Sequence, residues 1–210
     1  MAKVFNVGLI GCGHIAETYF RAHKYFNNFK ITKCADINQN AANKCAKINK
    51  IKAVTIKELL SDTDIKIILN LTIPAAHYEV AKQALLNGKH VYSEKPLAIN
   101  FQDGKKLIKL AKKKKLYVGN APDTFLGGGS QKSRDLLDKK VIGKVIFGNA
   151  IFAYPGIQSY HPNPESWFAK KGGGPVVDMG PYSLTALVNL LGPAKEVLSQ
   201  SEKGKETRVI

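Results

Sequence analysis

The first 120 residues alternate short apolar runs with amphipathic stretches, and this alternation constrains the fold more than any other feature. Consecutive strands separated by helices pair in parallel, because each helix returns the chain to the same end of the sheet. The pattern predicts strands over Val4–Ile10, Phe29–Ala35, Val54–Thr55, Ile65–Leu71, His90–Ser93 and Tyr117–Asn120. It predicts helices over His14–Phe26, Gln39–Ile48, Ile56–Leu60, Ala76–Asn87 and Asn100–Lys114.

After Asn120 the sequence becomes richer in glycine and proline, which marks the start of a second domain. We predict helices there over Gln131–Asp138 and Pro181–Leu191. We predict strands over Val145–Tyr154, Ala194–Gln200 and Glu206–Ile210. The expected fold is α/β, with a parallel-sheet domain at 1–120 and part of a second α/β domain, mainly antiparallel, at 121–210. Because the last strand stops without a turn or a following partner, we expect this second domain to be incomplete.

The charge balance raises the question of an anionic partner, since 32 basic residues against 16 acidic ones give a formal net charge of +16. Nearly all the basic residues are lysines scattered along the chain, which favours a solvated coat over a nucleic-acid site, the alternative. No run approaches the roughly 18 apolar residues of a membrane span, and no signal-peptide pattern follows Met1. We expect a cytoplasmic protein with no membrane partner.

The three cysteines, Cys12, Cys34 and Cys45, are odd in number and show no C-x-x-C spacing. This usage suits a reducing compartment and argues against a disulfide framework and a zinc site. We therefore predict no metal site and interpret the cysteines as small buried or surface residues.

A glycine-rich turn follows the first strand and opens the first helix, reading Gly11-Cys12-Gly13-His14-Ile15-Ala16. In this context the G-x-G-x-x-A spacing is typical of a dinucleotide fingerprint, with a tight turn, a close approach of pyrophosphate and close helix packing. Asp36 ends the second strand, where a carboxylate can accept hydrogen bonds from ribose hydroxyls. Its charge and the absence of a basic residue in Ile37-Asn38-Gln39 favour NAD over NADP. An ordinary βα turn with Asp36 as a turn residue is the alternative.

Two further segments carry chemistry: Asn70–His77, which ends the fourth strand, and Gly88–Ala98, which contains the fifth strand and Glu94-Lys95-Pro96. Together with the fingerprint, they resemble the Gfo/Idh/MocA family of glucose-fructose oxidoreductase, inositol dehydrogenase and relatives. Residues 172–174 and 178–182 resemble the second-domain motif of that family, so the resemblance covers essentially the whole chain. The residues that we expect at the cofactor are Gly11, Cys12, Gly13, His14, Ile15, Asp36, Ile37, Leu71, Thr72, Pro74, His77, Glu94, Lys95 and Pro96.

The resemblance implies a Rossmann domain and hydride transfer between a nicotinamide and the hydroxyl or carbonyl carbon of a sugar, polyol or related small molecule. It implies that Lys95 exchanges the hydroxyl proton, together with Asp178 and Tyr182. The family motif usually reads D-x-G-x-H, so Tyr182 is a departure, although a phenol also donates and accepts protons. Asp178 as a helix N-cap and Tyr182 as a core residue are the alternatives.

Asp123 and His161 are weaker candidates for contacting substrate hydroxyls, with a solvated loop as the alternative for both. His77 could orient Thr72 or a cofactor group, or serve a structural role. The resemblance also implies further strands beyond Ile210 and a homo-oligomer of the full-length form. A non-catalytic NAD-binding sensor or subunit and a basic nucleic-acid-binding protein remain the alternative functions.

Overall fold

The computed structural model describes residues 4–153, 156–157, 161, 165, 170 and 172–202. The chain divides into two compact units, residues 1–121 and 122–210. Each unit is described by itself below.

Six strands of the first unit form one sheet in the order β3-β2-β1-β4-β5-β6, and every neighbouring pair is parallel. The strands are β1 Phe5–Ile10, β2 Phe29–Ala35, β3 Lys52–Ala53, β4 Ile65–Asn70, β5 His90–Ser93 and β6 Val118–Asn120. This order and direction confirm the predicted parallel, Rossmann-like sheet. Only β3 is displaced, because Thr55 caps the next helix instead of ending a strand.

Five helices connect the strands: α1 His14–Ala22, α2 Gln39–Asn49, α3 Ile56–Ser61, α4 Pro74–Leu86 and α5 Phe101–Lys114. The side chains of Asn38 and Asn100 accept backbone hydrogen bonds and cap α2 and α5. Thr55 and Glu58 form a reciprocal capping box at α3. The first helix ends at Ala22 instead of Phe26, and a single 3-10 turn follows before β2.

The sheet buries apolar side chains on both faces, as expected for a parallel sheet covered by helices. Val7 and Leu9 of β1 pack with Ala16 and Phe20 of α1 on one face. Ile10 packs on the other face, in the cluster formed with α3, α4 and α5. The first unit therefore has a doubly wound core of its own.

The described part of the second unit contains a 3-10 turn at Asp123–Leu126, helix α6 at Gly128–Asp138 and helix α7 at Pro175–Leu191. The helix predicted over Pro181–Leu191 is observed as α7, but its predicted start is wrong. The helix begins at Pro175 and has Pro181 inside it. Proline is tolerated in a first helical turn, where the backbone N–H groups have no intrahelical partner, and Pro175 fills that position. Asp178 thus lies within the helix, and its interpretation as an N-cap is wrong.

No strand is assigned to residues 145–153 or 194–200, although their sequence predicts strands. A strand is defined by hydrogen bonds to a neighbour, and no partner strand occurs among the described residues of this unit. The predicted strand at 206–210 lies outside the described residues. None of the described helices combines the length and apolar character needed to cross a membrane.

Candidate functional site

The carboxyl ends of five strands are in register along one edge of the sheet. Ile10 lies opposite both Ala35 and Asn70, Asn70 opposite Ser93, and Ser93 opposite Asn120. The chain order reverses between β1 and β4, and open α/β sheets bind ligands outside the strand ends at such a switch point. The predicted first-unit site residues follow these strand ends directly.

Gly11 makes the tight turn after β1 and cannot be replaced without strain. Its φ is +100°, and a Cβ atom built there would lie 2.6 Å from the carbonyl carbon and oxygen of Leu71. Its backbone N–H donates to Ala35 O at 3.0 Å, while Leu71 donates to Ile10 O at 2.8 Å. Gly11 therefore lets the loops after β1 and β4 pass in contact.

Gly13 precedes helix α1 and has no such constraint from the protein itself. Its φ of −77° suits any residue, and a Cβ atom there would meet nothing within 4 Å. No side chain caps this end of α1, and both His14 and Ile15 are exposed. A helix N-terminus without a side-chain cap and with open space at Gly13 favours an anionic ligand such as a pyrophosphate.

Asp36 joins the fingerprint loop to the end of β2. One carboxylate oxygen accepts from the N–H of Cys12 at 2.7 Å, and the other accepts from Asn38 at 2.8 Å. The second bond forms an Asx turn, so Asp36 is a turn residue, as its alternative interpretation proposed. Each oxygen retains a lone pair, so the carboxylate can still accept from ribose hydroxyls. Ile37 beside it is exposed.

Asn70, at the end of β4, is fully buried and organises the neighbouring loops. Its amide nitrogen donates to the carbonyl of His77 at 2.9 Å and to Ser93 Oγ at 3.2 Å. Its amide oxygen accepts from Thr72 Oγ1 at 2.7 Å, and its backbone carbonyl accepts from Glu94 N at 2.9 Å. One asparagine therefore connects the loops that follow β4 and β5.

His77 lies in α4, whose first residue is Pro74, and its ring is 1% exposed. Its Nε2 lies 2.8 Å from Thr72 O and its Nδ1 lies 2.6 Å from Pro96 O. The ring therefore contacts the loop that carries Thr72, as its sequence position suggested, and reaches the Glu94-Lys95-Pro96 segment as well. A buried side chain with two such contacts positions the loops and is not itself open to a ligand.

Glu94 anchors the segment that carries Lys95. Its Oε1 accepts from Tyr19 OH of α1 at 2.9 Å, and its Oε2 accepts from the backbone N–H of Lys95 at 3.1 Å. Asn120 at the end of β6 donates to the carbonyls of Ser93 and Glu94, each at 2.9 Å. The Lys95 backbone is thereby held at the carboxyl edge of the sheet by groups from both sides.

The candidate residues of the second unit are placed within that unit as follows. Asp178 is buried in the first turn of α7, and half-buried Tyr182 lies four residues later, on the same helix face. Asp123 is exposed in the 3-10 turn, which packs against α7. His161 is half-buried, and its backbone N–H donates to Ile157 O at 2.8 Å.

Comparison with known proteins agrees with this architecture. Residues 5–121 match the family model described as oxidoreductase family, NAD-binding Rossmann fold, and residues 130–209 match the Gfo/Idh/MocA C-terminal domain. The chain belongs to the Gfo/Idh/MocA family. The resemblance stated from the sequence is confirmed, and the first unit is the NAD-binding Rossmann domain of the family.

Among curated relatives, a dTDP-3,4-didehydro-2,6-dideoxy-alpha-D-glucose 3-reductase of Saccharopolyspora spinosa is 28% identical, over 100% of this chain and 63% of its own length. A trans-1,2-dihydrobenzene-1,2-diol dehydrogenase of Xenopus laevis is 34% identical over 60% of this chain and 37% of its own. A 3-ketoreductase of Actinomadura kijaniata, solved with NADP and TDP-benzene, has the same fold at 24% identity, with a TM-score of 0.74 over 90% of this chain and 58% of that one. The chain thus spans about half the length of such relatives.

Sequence reasoning missed the residues that connect the loops of this Gfo/Idh/MocA chain. Tyr19, Asn70, Ser93 and Asn120 were not singled out, yet they bind the segments that contain Thr72 and Glu94. A signal was present, because polar side chains that end buried strands of a parallel sheet meet at one edge. It is a weak signal without the strand order, which decides which ends are neighbours.

Proposed function

We propose that this chain is the cofactor-binding part of an oxidoreductase that transfers a hydride between a nicotinamide and a hydroxyl or carbonyl carbon of a sugar, polyol or related hydroxylated small molecule. The observation that carries the proposal is the open backbone at Gly13. The protein has no steric need for glycine there, because an added Cβ would touch nothing. A glycine at a position where an added Cβ could collide only with an external group supports the approach of a cofactor pyrophosphate.

We propose NAD as the preferred cofactor. Two backbone N–H groups hold the Asp36 carboxylate at the end of β2, which supports a role in binding the adenosine ribose. A fixed negative charge favours a ribose with free hydroxyls and repels a 2′-phosphate. Ile37 and Asn38 beside it supply no cation to compensate that repulsion.

Lys95 is the proposed proton-transfer group of the first unit. When bound, the nicotinamide ring accepts or supplies the hydride. The Lys95 ammonium or amine would exchange the proton of the substrate hydroxyl, and Glu94 and Asn120 hold the backbone that presents it. Asp178 and Tyr182, one helical turn apart on α7, are the proposed proton-transfer groups of the second unit. Their phenol and carboxylate can donate and accept in turn.

The remaining proposals concern the second unit and the whole protein. We propose that residues 121–210 begin an α/β domain with a mainly antiparallel sheet, to which the apolar segments 145–153 and 194–200 would contribute strands. Asp123 and His161 would contact substrate hydroxyls from that domain. The whole protein would be a cytoplasmic homo-oligomer. Relatives named as a sugar-nucleotide 3-reductase and a D-xylose dehydrogenase support the substrate class.

The cofactor assignment is tested by titrating NAD and NADP by calorimetry. We expect tighter binding of NAD, and we expect Asp36→Asn to narrow the difference by at most about 1.5–3 kcal/mol, the range for a hydrogen bond to a charged group. Asp64→Asn is the matched control, because Asp64 is exposed and precedes β4 at the opposite edge of the sheet. Equal or tighter binding of NADP by the unmodified chain would contradict the proposal.

A further inference from the structure

Three thiols that are distant in the sequence meet in the core of the first unit. Cys12 lies in the fingerprint loop after β1, Cys34 in β2 and Cys45 in α2. Their sulfur atoms all lie within 4.8 Å of one another. They are the only cysteines of the chain, so every thiol it possesses is in this cluster.

The cluster results from the packing of α2 and the fingerprint loop against the same face of the sheet. Cys34 and Cys45 belong to the apolar cluster that includes Val7 and Phe20, and Cys12 packs against it. Cys34 is 0% exposed and Cys45 8% exposed, whereas Cys12 is half-buried. The site is thus dry on the core side and accessible on the side of the loop.

The distances are close to those that a bound metal ion requires. Three sulfur atoms around one ion at about 2.3 Å, the usual zinc–sulfur distance, lie about 4 Å apart. With all separations already within 4.8 Å, shifts of a few tenths of an ångström in each side chain would complete such a triangle.

The thiols have only weak partners to give up. Cys12 Sγ donates to Ala35 O at 3.7 Å and Cys34 Sγ donates to Ala42 O at 3.5 Å, while Cys45 Sγ accepts from the Asn49 amide at 3.8 Å. Binding of an ion to the three sulfurs would therefore break only these long contacts.

The ligand set selects the kind of ion. Thiolates select soft ions such as cuprous copper, zinc and iron in iron–sulfur clusters. Structural zinc and iron–sulfur sites need four protein ligands, and no described His, Asp or Glu joins the three cysteines. Cuprous copper is stably coordinated by two or three sulfur ligands.

We propose that Cys12, Cys34 and Cys45 form a three-sulfur binding site for a soft monovalent metal ion, cuprous copper, directly behind the fingerprint loop. Neither the family nor the proposed hydride transfer requires this site. Its test is therefore independent of the function proposed above.

The test is an anaerobic titration of the reduced chain with Cu⁺ against a chromophoric Cu⁺ chelator. We expect one ion per chain, and we expect Cys12→Ser, Cys34→Ser and Cys45→Ser each to weaken binding by more than about 100-fold, since even loss of an outer-shell partner costs about 10- to 100-fold. Met179→Leu, which removes a thioether from α7, is the control and should leave the affinity unchanged. Binding that survives any two of the three cysteine substitutions would overturn the site.

X-ray absorption of the copper-loaded unmodified chain gives an answer that does not depend on whether the variants fold. Three sulfur neighbours of copper are expected. A shell dominated by nitrogen or oxygen would overturn the proposal, and zinc binding as tight as copper binding at the same cysteines would overturn the assignment of the ion.

Discussion

The two units bury their apolar residues very differently. Apart from Ile157, every buried apolar side chain among the described residues belongs to residues 1–121. In the second unit, Ile146, Phe147 and Leu198 are 92%, 78% and 100% exposed. The first unit closes a core on both faces of its sheet. The described part of the second unit instead presents apolar side chains of the kind that mark contact surfaces.

The second unit is organised by a different kind of contact. Arg134 of α6 donates to the carbonyls of Asn189 and Leu190 at 2.9 and 3.0 Å, near the carboxyl end of α7, and also pairs with Asp138. Helix carbonyls at that end lack intrahelical partners, so a guanidinium satisfies them. Hydrophobic burial thus stabilises the first unit, whereas in the described part of the second unit Arg134 links the two long helices through polar contacts.

The largest expected effect concerns which unit supplies the transferred proton. In a catalytically complete form of the protein, Lys95→Met should lower kcat by about 10²- to 10⁴-fold, the usual contribution of a general acid or base, and leave NAD affinity nearly unchanged. Tyr182→Phe, in the second unit, should lower kcat by no more than about 10²-fold if Lys95 is the group that exchanges the substrate proton. Steady-state kinetics with NAD and a panel of polyols measures both.

The matched control for this pair is Lys113→Met, which removes an exposed lysine of α5. Its turnover should equal that of the unmodified protein. If Lys95→Met keeps its turnover within a few-fold while Tyr182→Phe loses it, the second unit carries the proton transfer and the role proposed for Lys95 is wrong.

Core substitutions test the contrast in burial directly. Leu85→Ala, at a 0% exposed position of the first unit, should lower the free energy of unfolding by about 2–5 kcal/mol. Leu184→Ala, at a 62% exposed position of α7, should change it by less than about 0.5 kcal/mol. Urea unfolding followed by far-UV circular dichroism measures both. A large loss at Leu184 would mean that α7 is buried in solution, and the contrast would fail.

The two fingerprint glycines separate stability from cofactor binding within the first unit. Gly11→Ala should destabilise the fold by about 1–3 kcal/mol or more, from backbone strain at φ +100° and the collision with Leu71. Gly13→Ala should leave stability within about 0.5 kcal/mol and weaken NAD binding at least about tenfold. Thermal unfolding and calorimetry report the two quantities. Unchanged NAD affinity in folded Gly13→Ala would contradict the pyrophosphate assignment.

The smallest expected effect is a pH dependence of the first unit. The hydrogen bond from Lys33 and that from the Asp64 backbone lower the pKa of Asp62 in the folded state. This stabilisation, about 0.2–1 kcal/mol for a partly exposed pair, is present above the unfolded pKa near 3.9 and is lost as the pH falls through the folded value. Asp62→Asn should therefore be less stable than the unmodified chain at neutral pH. The two should converge in acid, and a constant difference would exclude the ion pair as the cause.

The elements of the first unit were predictable to within a few residues because their signals are local. The β5 range His90–Ser93 matches the prediction, and the helix predicted over Asn100–Lys114 is observed at Phe101–Lys114, with Asn100 as its N-cap. The start of α7 was not predictable in the same way, since Pro181 suggested a first turn and the helix begins six residues earlier. A proline reports its own φ and missing N–H, not how far the helix extends before it.

The candidate site residues likewise divide into those with a local sequence signal and those that depend on the tertiary structure. Gly11, Gly13 and Asp36 could be proposed from the sequence because their spacing follows one strand, one turn and the next strand along the chain. The contacts of Asn70 with Ser93 and of His77 with Pro96 could not, since they depend on β4 and β5 being neighbours and on the register between them. The absence of C-x-x-C spacing likewise argued against a shared site for the cysteines, although their sulfur atoms converge.

The sequence by itself determined the order of strands and helices along the chain, the parallel direction of the sheet and the fingerprint turn, because these follow from periodicity and from residue types at short spacing. The tertiary structure alone decided which distant side chains meet. The convergence of Cys12, Cys34 and Cys45 and the bridge from His77 to Pro96 arise from the register of neighbouring strands and the seating of helices on the sheet. Register and seating are set by the packing of the whole core, so no single segment encodes them.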